Sequence, residues 1–150
     1  MAAGIRAVVM TGAPVRIAVL QQRLRDVWDI GRIGARIRDN IDAAIRIAGV
    51  LRDGEFLALT SAPLATVRTP TDACRREVEH VHDNELTLAL TNLVCDAGGI
   101  TYDELTVRAA RLYGWTRRGP DISSRLHTLI ARLIATGTLT SNERNLTVPS

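Results

Sequence analysis

Apolar positions in the first third of the chain recur at helical spacing three times. Ile5, Val8 and Val9 make a short stripe, Leu20, Leu24, Val27 and Trp28 a second, and Ile37, Ile41, Ala44, Ile45 and Ala48 a third. The third follows i, i+4, i+7, i+8, i+11 and predicts a helix with one buried face. Gly12-Ala13-Pro14 breaks the chain after the first stripe, and Val15-Arg16 predicts a very short strand. Gly31 to Gly34 closes the second helix, and Val50 to Leu59 predicts a hairpin turning at Asp53-Gly54.

The same order then returns. Leu86, Leu90, Leu93 and Val94 form a stripe, Ala97-Gly98-Gly99 breaks it, and Ile100-Thr101 offers a second short strand. Thr101-Tyr102-Asp103-Glu104 is a capping box that opens a helix expected to bury Leu105, Ala109, Leu112 and Tyr113. A glycine turn from Gly114 to Gly119 leads into Ile122, Leu126, Leu129, Ile130 and Leu133, and Leu139 to Val148 predicts a hairpin around Asn142 to Asn145. Residues 5–50 in fact realign on residues 90–135 with a shift of 85 and no gap. Ile5/Leu90, Val9/Val94, Val15/Ile100, Leu20/Leu105, Trp28/Tyr113, Ile41/Leu126 and Ile45/Ile130 match like for like, and an Arg-x-Gly-x-x-Ile element recurs at Arg32 to Ile37 and Arg117 to Ile122.

Helix, strand, helix, turn, helix, hairpin is the order of a winged helix-turn-helix. The expected fold is mostly α with short β-hairpins, an α+β class, built as two tandem winged helix-turn-helix modules. Module 1 spans 1–60, an ordered connector 61–84, and module 2 85–150, with a further strand expected at Thr66-Val67-Arg68.

Composition narrows the chemistry. At 46% hydrophobic with only five aromatics, 150 residues can bury an aliphatic core. No uncharged stretch reaches the roughly 18 apolar residues of a membrane span, and Arg6 and Arg16 interrupt the N-terminal candidate for a signal, so a soluble cytoplasmic chain is expected. Cys74 and Cys95 lack any CxxC or metal spacing and are read as reduced structural thiols. All 19 basic residues are arginine, so no P-loop, Schiff-base or catalytic lysine exists. Residues 1–75 hold 11 Arg against 7 acids, net +4, and residues 76–150 hold 8 against 9, net −1, which places attraction to phosphate mainly in the first copy.

The candidate nucleic-acid contacts are Arg32, Arg36, Arg38 and Arg46 around the third helix of copy one, Arg117 and Arg118 beside Trp115 in copy two, and Ser124 and His127 on the outward face of copy two. That face continues through Asp121, Thr128 and Ala131 and is nearly neutral. Opposite the apolar stripe of copy one, Arg36/Asp39 and Asp42/Arg46 are spaced to pair along the helix. Gly34 and Gly119 are read as residues that supply the permissive backbone of the turn. Trp28, Tyr113 and Trp115 are read as core or hinge packing. His80 and His82 with Glu79, Asp83 and Cys74 match no standard ligand pattern and are read as a solvated charge run, so neither metal nor cofactor is expected. His127 has no serine or cysteine that the sequence places beside it, and no enzymatic activity or small-molecule substrate is expected.

The doubled Arg-x-Gly-x-x-Ile, the Arg52-Asp53-Gly54-Glu55-Phe56-Leu57 wing, Val67-Arg68-x-Pro70 and the Glu85-Leu86 opening of the second copy resemble a bacterial domain of unknown function. That domain closes very large superfamily 1 helicase-like proteins. The resemblance covers nearly the whole chain and implies neighbours that are helicase motor domains, often with a restriction-endonuclease-like nuclease; none of their motifs is present here. The leading expectation is a non-catalytic accessory module that engages the DNA backbone. The alternative is a protein docking module whose partners are helicase or nuclease domains of the same or another chain.

Overall fold

The computed structural model describes residues 1–60, 63–71, 75–115, 119–142 and 145–149. Two compact units divide the chain: Met1–Ala62 with His80–His82, and Pro63–Glu79 with Asp83–Ser150. The first contains α1 (Ala2–Gly12), β1 (Val15–Arg16), α2 (Ile17–Trp28), α3 (Ala35–Ala48), β2 (Leu51–Asp53) and β3 (Phe56–Ala58). The second contains α4 (Asp83–Ala97), α5 (Tyr102–Leu112), α6 (Pro120–Ala135), β4 (Thr140–Ser141) and β5 (Leu146–Thr147). The protein is mostly helical with small antiparallel sheets, an α+β class.

In unit 1 the hairpin turns through Gly54-Glu55, with Asp53 facing Phe56 and a positive φ of 55° at Gly54. Two-residue loops favour such a glycine because their twist then matches that of the strands. β3 also pairs with β1, Val15 opposite Leu57, giving the order β1-β3-β2. In unit 2 a single bridge replaces β1: Ile100 and Leu146 exchange N–H···O bonds of 3.1 and 2.8 Å.

The element boundaries keep the shift of 85 seen in the sequence. α2 starts at 17 and α5 at 102; α3 starts at 35 and α6 at 120. Burial follows the same register. Ile5, Leu20 and Ile41 have no exposed surface, and neither do Leu90, Leu105 and Leu126, their equivalents one repeat on. Each such side chain contributes about 1.5 to 3 kcal/mol of hydrophobic stabilisation. Ile37 and Ile122 are alike too, both half-buried. The register is lost after the third helix. α6 runs to Ala135, two positions beyond the equivalent of Ala48, and Leu146 stands four positions beyond the equivalent of Leu57. A positive-φ glycine follows each helix, Gly49 at 64° and Gly137 at 74°, so the different helix lengths displace the second hairpin along the chain.

Two expectations are corrected. No strand forms at Thr66-Val67-Arg68, because the Arg68 N–H is taken by the Glu85 carboxylate at 2.9 Å and is not offered to a neighbouring strand. Val27 and Trp28 do not join the core. They are 76% and 39% exposed, since α2 buries Ile17, Leu20 and Leu24 and its last turn continues beyond them.

Because Ile41 and Leu126 are equivalent and fully buried, Ile41→Ala and Leu126→Ala should each destabilise their unit by about 2 to 5 kcal/mol. Val27→Ala should stay within about 0.5 kcal/mol. Chemical denaturation of the three variants checks the contrast.

Candidate nucleic-acid interface

The turn between α2 and α3 is built by local bonding. α2 ends at Asp29 in the left-handed region, φ 49°, with its N–H bonded to the Arg25 carbonyl. The Arg25 guanidinium then donates to the carbonyls of Ile30 and Gly31, both at 3.4 Å, which ties the turn back onto the helix that precedes it. α3 opens at Gly34 with no side-chain cap and no acid in its first turn. Its first N–H groups and the positive end of its dipole therefore meet no compensating charge of its own.

Glycine is not needed there for its backbone freedom, which corrects the reading of Gly34 and Gly119. Both are extended, φ −77° and −66°, and a Cβ added to either would meet nothing within 4 Å. Gly31 is equally open. The surface in front of α3 is thus bare backbone.

Arg32, Arg36, Arg38 and Arg46 are all exposed. None of their side chains has a hydrogen-bond or ion-pair partner among the described residues. The expected pairs along α3 do not form: Asp42 lies 4.0 Å from Arg52 on β2, with both side chains about half exposed, and Arg36 and Arg46 stay uncommitted. Such a pair on the surface is worth little, and it draws the acid away from the helix face that carries Arg46.

Unit 2 uses its arginines differently. Arg125 and Arg132 hold Asp83 at 2.7 and 3.6 Å, Arg108 holds Glu104 at 2.6 Å, and Arg68 and Arg76 hold Glu85 at 2.7 and 2.8 Å. α6 also has an acid, Asp121, in its first turn. Ser124, His127 and Thr128 lie exposed on α6 as expected, with the His127 ring edge-on to Tyr102 at 4.7 Å and the Thr128 hydroxyl donating to the Ser124 carbonyl at 3.0 Å. Arg117, Arg118 and Cys74 fall outside the described residues; Cys95 is an exposed free thiol.

A buried ionic cluster was not legible in the sequence. Glu85 has no exposed surface. Its carboxylate accepts from the Arg68 side chain and main-chain N–H and from both Arg76 amino groups, at 2.7 to 3.0 Å. Arg76 also donates to the Arg68 carbonyl. Its guanidinium lies 5.8 Å from the Tyr113 ring centre, Trp115 stacks on that ring at 4.8 Å, and the Trp115 indole N–H donates to the Arg76 carbonyl at 2.8 Å. Tyr113 is core, as expected. Arg68 and Glu85, 17 residues apart in the chain, thus meet at one ion pair. Burial pushes the Glu85 carboxyl up, but hydrogen bonds from Arg76 and Arg68 outweigh it and hold its pKa below the ordinary value. Burial and the adjacent Glu85 charge raise the Tyr113 phenol.

His82 also departs from expectation. Its side chain is only 11% exposed, it lies 3.2 Å from the Asp53 carboxylate, and it meets the Phe56 ring edge-on at 4.8 Å. A contact to the hairpin some 29 residues away explains why a local charge-run reading failed. Among the described residues no cluster of His, Cys, Asp and Glu has metal-binding geometry, and no helix is long and apolar enough to cross a membrane.

No protein-family model matches the chain, and neither a curated protein nor a solved structure matches it significantly.

Glu85→Gln should cost unit 2 about 3 kcal/mol, the low end of the buried-pair range, because both arginines keep some solvent contact. As the folded carboxyl titrates below 4.5, its stabilisation is complete above that pH and is lost as pH falls through the lower folded value. Between about pH 6 and pH 3 the unfolding free energy, measured by chemical denaturation, should fall less with acid in the variant than in the parent.

Proposed function

We propose that the chain is a non-catalytic nucleic-acid-binding module of two tandem winged helices that engages the DNA backbone mainly through unit 1. One observation carries this reading: the exposed side chains of Arg32, Arg36 and Arg38, without a partner among the described residues, lie about a glycine-led, uncapped helix N-terminus, and Arg46 adds a fourth in the last turn of the same helix. Bare N–H groups and guanidiniums together make a phosphate site. Unit 2 commits Arg68, Arg76, Arg108, Arg125 and Arg132 to its own carboxylates, so it has less charge to offer. The mixed Arg and Asp face of α3 supports backbone contact more than base reading. In keeping with the resemblance, the module would be cytoplasmic and would serve a helicase-like protein, with no chemistry of its own.

Anisotropy titrations with a short duplex over a range of salt test this. Each phosphate contact contributes about 0.9 to the slope of log K against log salt, so Arg32→Ala with Arg36→Ala should lower the slope by about 2 and weaken binding at low salt. The same pair of changes at Arg117 and Arg118 should weaken it less, following the −1 net charge of that half. Absence of binding to duplex or single-stranded DNA above about 10⁻⁴ M at low salt would remove the reading. Docking of a helicase or nuclease domain, disrupted by changes at Ser124, His127 and Thr128, would then take its place.

A further inference from the structure

The charge of unit 1 is graded along α3. Residues 29–38, the turn and the first helical residues, carry Arg32, Arg36 and Arg38 against Asp29, a net of +2. Residues 39–48 carry Asp39 and Asp42 against Arg46, a net of −1, and the hairpin, 51–58, carries Asp53 and Glu55 against Arg52, again −1. Asp39, Asp53 and Glu55 are exposed and Asp42 is half exposed. Arg52 is already engaged: its guanidinium donates to the Gly54 carbonyl at 3.1 Å and stands 4.0 Å from Asp42. His82, 3.2 Å from Asp53, offsets that acid only when protonated.

A winged helix that reads a duplex lays the outer face of its third helix in the major groove. In unit 1 that face, opposite Ile41, Ala44, Ile45 and Ala48, presents Arg36, Asp39, Ala43 and Arg46. In a groove about 12 Å wide, a carboxylate at the middle of the face stands within the roughly 8 Å screening length of the phosphates on both sides. Asp39 has no partner among the described residues to neutralise it there. The arginines near the start of the helix are arranged otherwise. Arg36 and Arg38 are two residues apart and so emerge about 200° apart around the axis, with Arg32 in the turn ahead of them. Three guanidiniums surround the helix end, and no single face holds them; Arg46 is about 15 Å further along the axis than Arg36.

We propose, resting on the DNA-backbone reading above, that the ligand of unit 1 is a nucleic-acid strand held by its phosphates at the N-terminal end of α3, with the outer face of α3 and the hairpin outside the grooves. Single and double strands are then bound alike and without base preference. Arg38 belongs to the binding surface and Arg46 does not.

The full chain is titrated at low salt, by anisotropy, with a short guanine-containing duplex and with one of its strands alone. The two should bind within about fivefold of each other, the margin left by the higher charge density of the duplex, and exchanging the sequence should change neither by more than about twofold. Arg38→Ala should weaken binding as Arg36→Ala does and lower the salt slope by about 1, whereas Arg46→Ala should stay within about twofold of the parent. Dimethyl sulfate methylation of guanine N7, which lines the major groove, should be unchanged on the saturated duplex. With the DNA reading intact, the proposal is overturned by protection of N7, by a preference for duplex above about tenfold, or by a larger loss at Arg46→Ala than at Arg38→Ala. A preference for cytosine-containing sites that Asp39→Asn removes would make the acid a base-reading group, and overturns it as well. A chain that binds neither duplex nor single strand removes the DNA reading and the proposal with it.

Discussion

Each unit is organised around three aliphatic side chains with no exposed surface, one from each of its helices: Ile5, Leu20 and Ile41 in the first, Leu90, Leu105 and Leu126 in the second. Helices of 11 to 16 residues are marginal alone in water. Burying one stripe of each against the others is what makes them persist, and with five aromatics in the chain the seam must be aliphatic. Everything placed on the surface, including the turn before α3 and the hairpins, takes its position from this seam.

The two units share that seam and differ in how they use charge. Among the described residues, unit 1 leaves the side chains of Arg32, Arg36, Arg38 and Arg46 without partners and ties its α2–α3 turn with Arg25. Unit 2 folds the segment before α4 onto itself through Glu85, a carboxylate that is tolerable without solvent only because two guanidiniums and a main-chain N–H surround it. One duplicated framework thus leaves exposed arginines on the third helix of one copy and pairs arginines with carboxylates in the other.

The second difference lies at the helix ends. The Trp28/Tyr113 pair is conservative in chemistry but not in burial, because what covers a residue depends on segments distant from it in sequence. Asp29 and Gly114 show the same thing. Both take the left-handed region, φ 49° and 70°, yet one leaves an exposed carboxylate at the helix end and the other lies against Pro70.

The sequence by itself determined the helices, their boundaries and the two-fold repetition, because apolar spacing and glycine breaks act locally and both copies obey the same steric rules. Ile41 and Leu126 could be named as core, the hairpin at Asp53-Gly54 could be placed, and the exposed face of α6 through Ser124, His127 and Thr128 was legible from periodicity alone. The candidate arginines of unit 1 were legible as to place. That Asp42 lies by Arg52 on β2 and not by Arg46 on its own helix was decided by the tertiary structure. Tertiary structure also decided the burial of Glu85 among Arg68 and Arg76, the seating of His82 on the hairpin, and the exposure of Val27. Each of these depends on contacts between distant segments, or on where a core ends, and neither is written in the spacing of neighbouring residues.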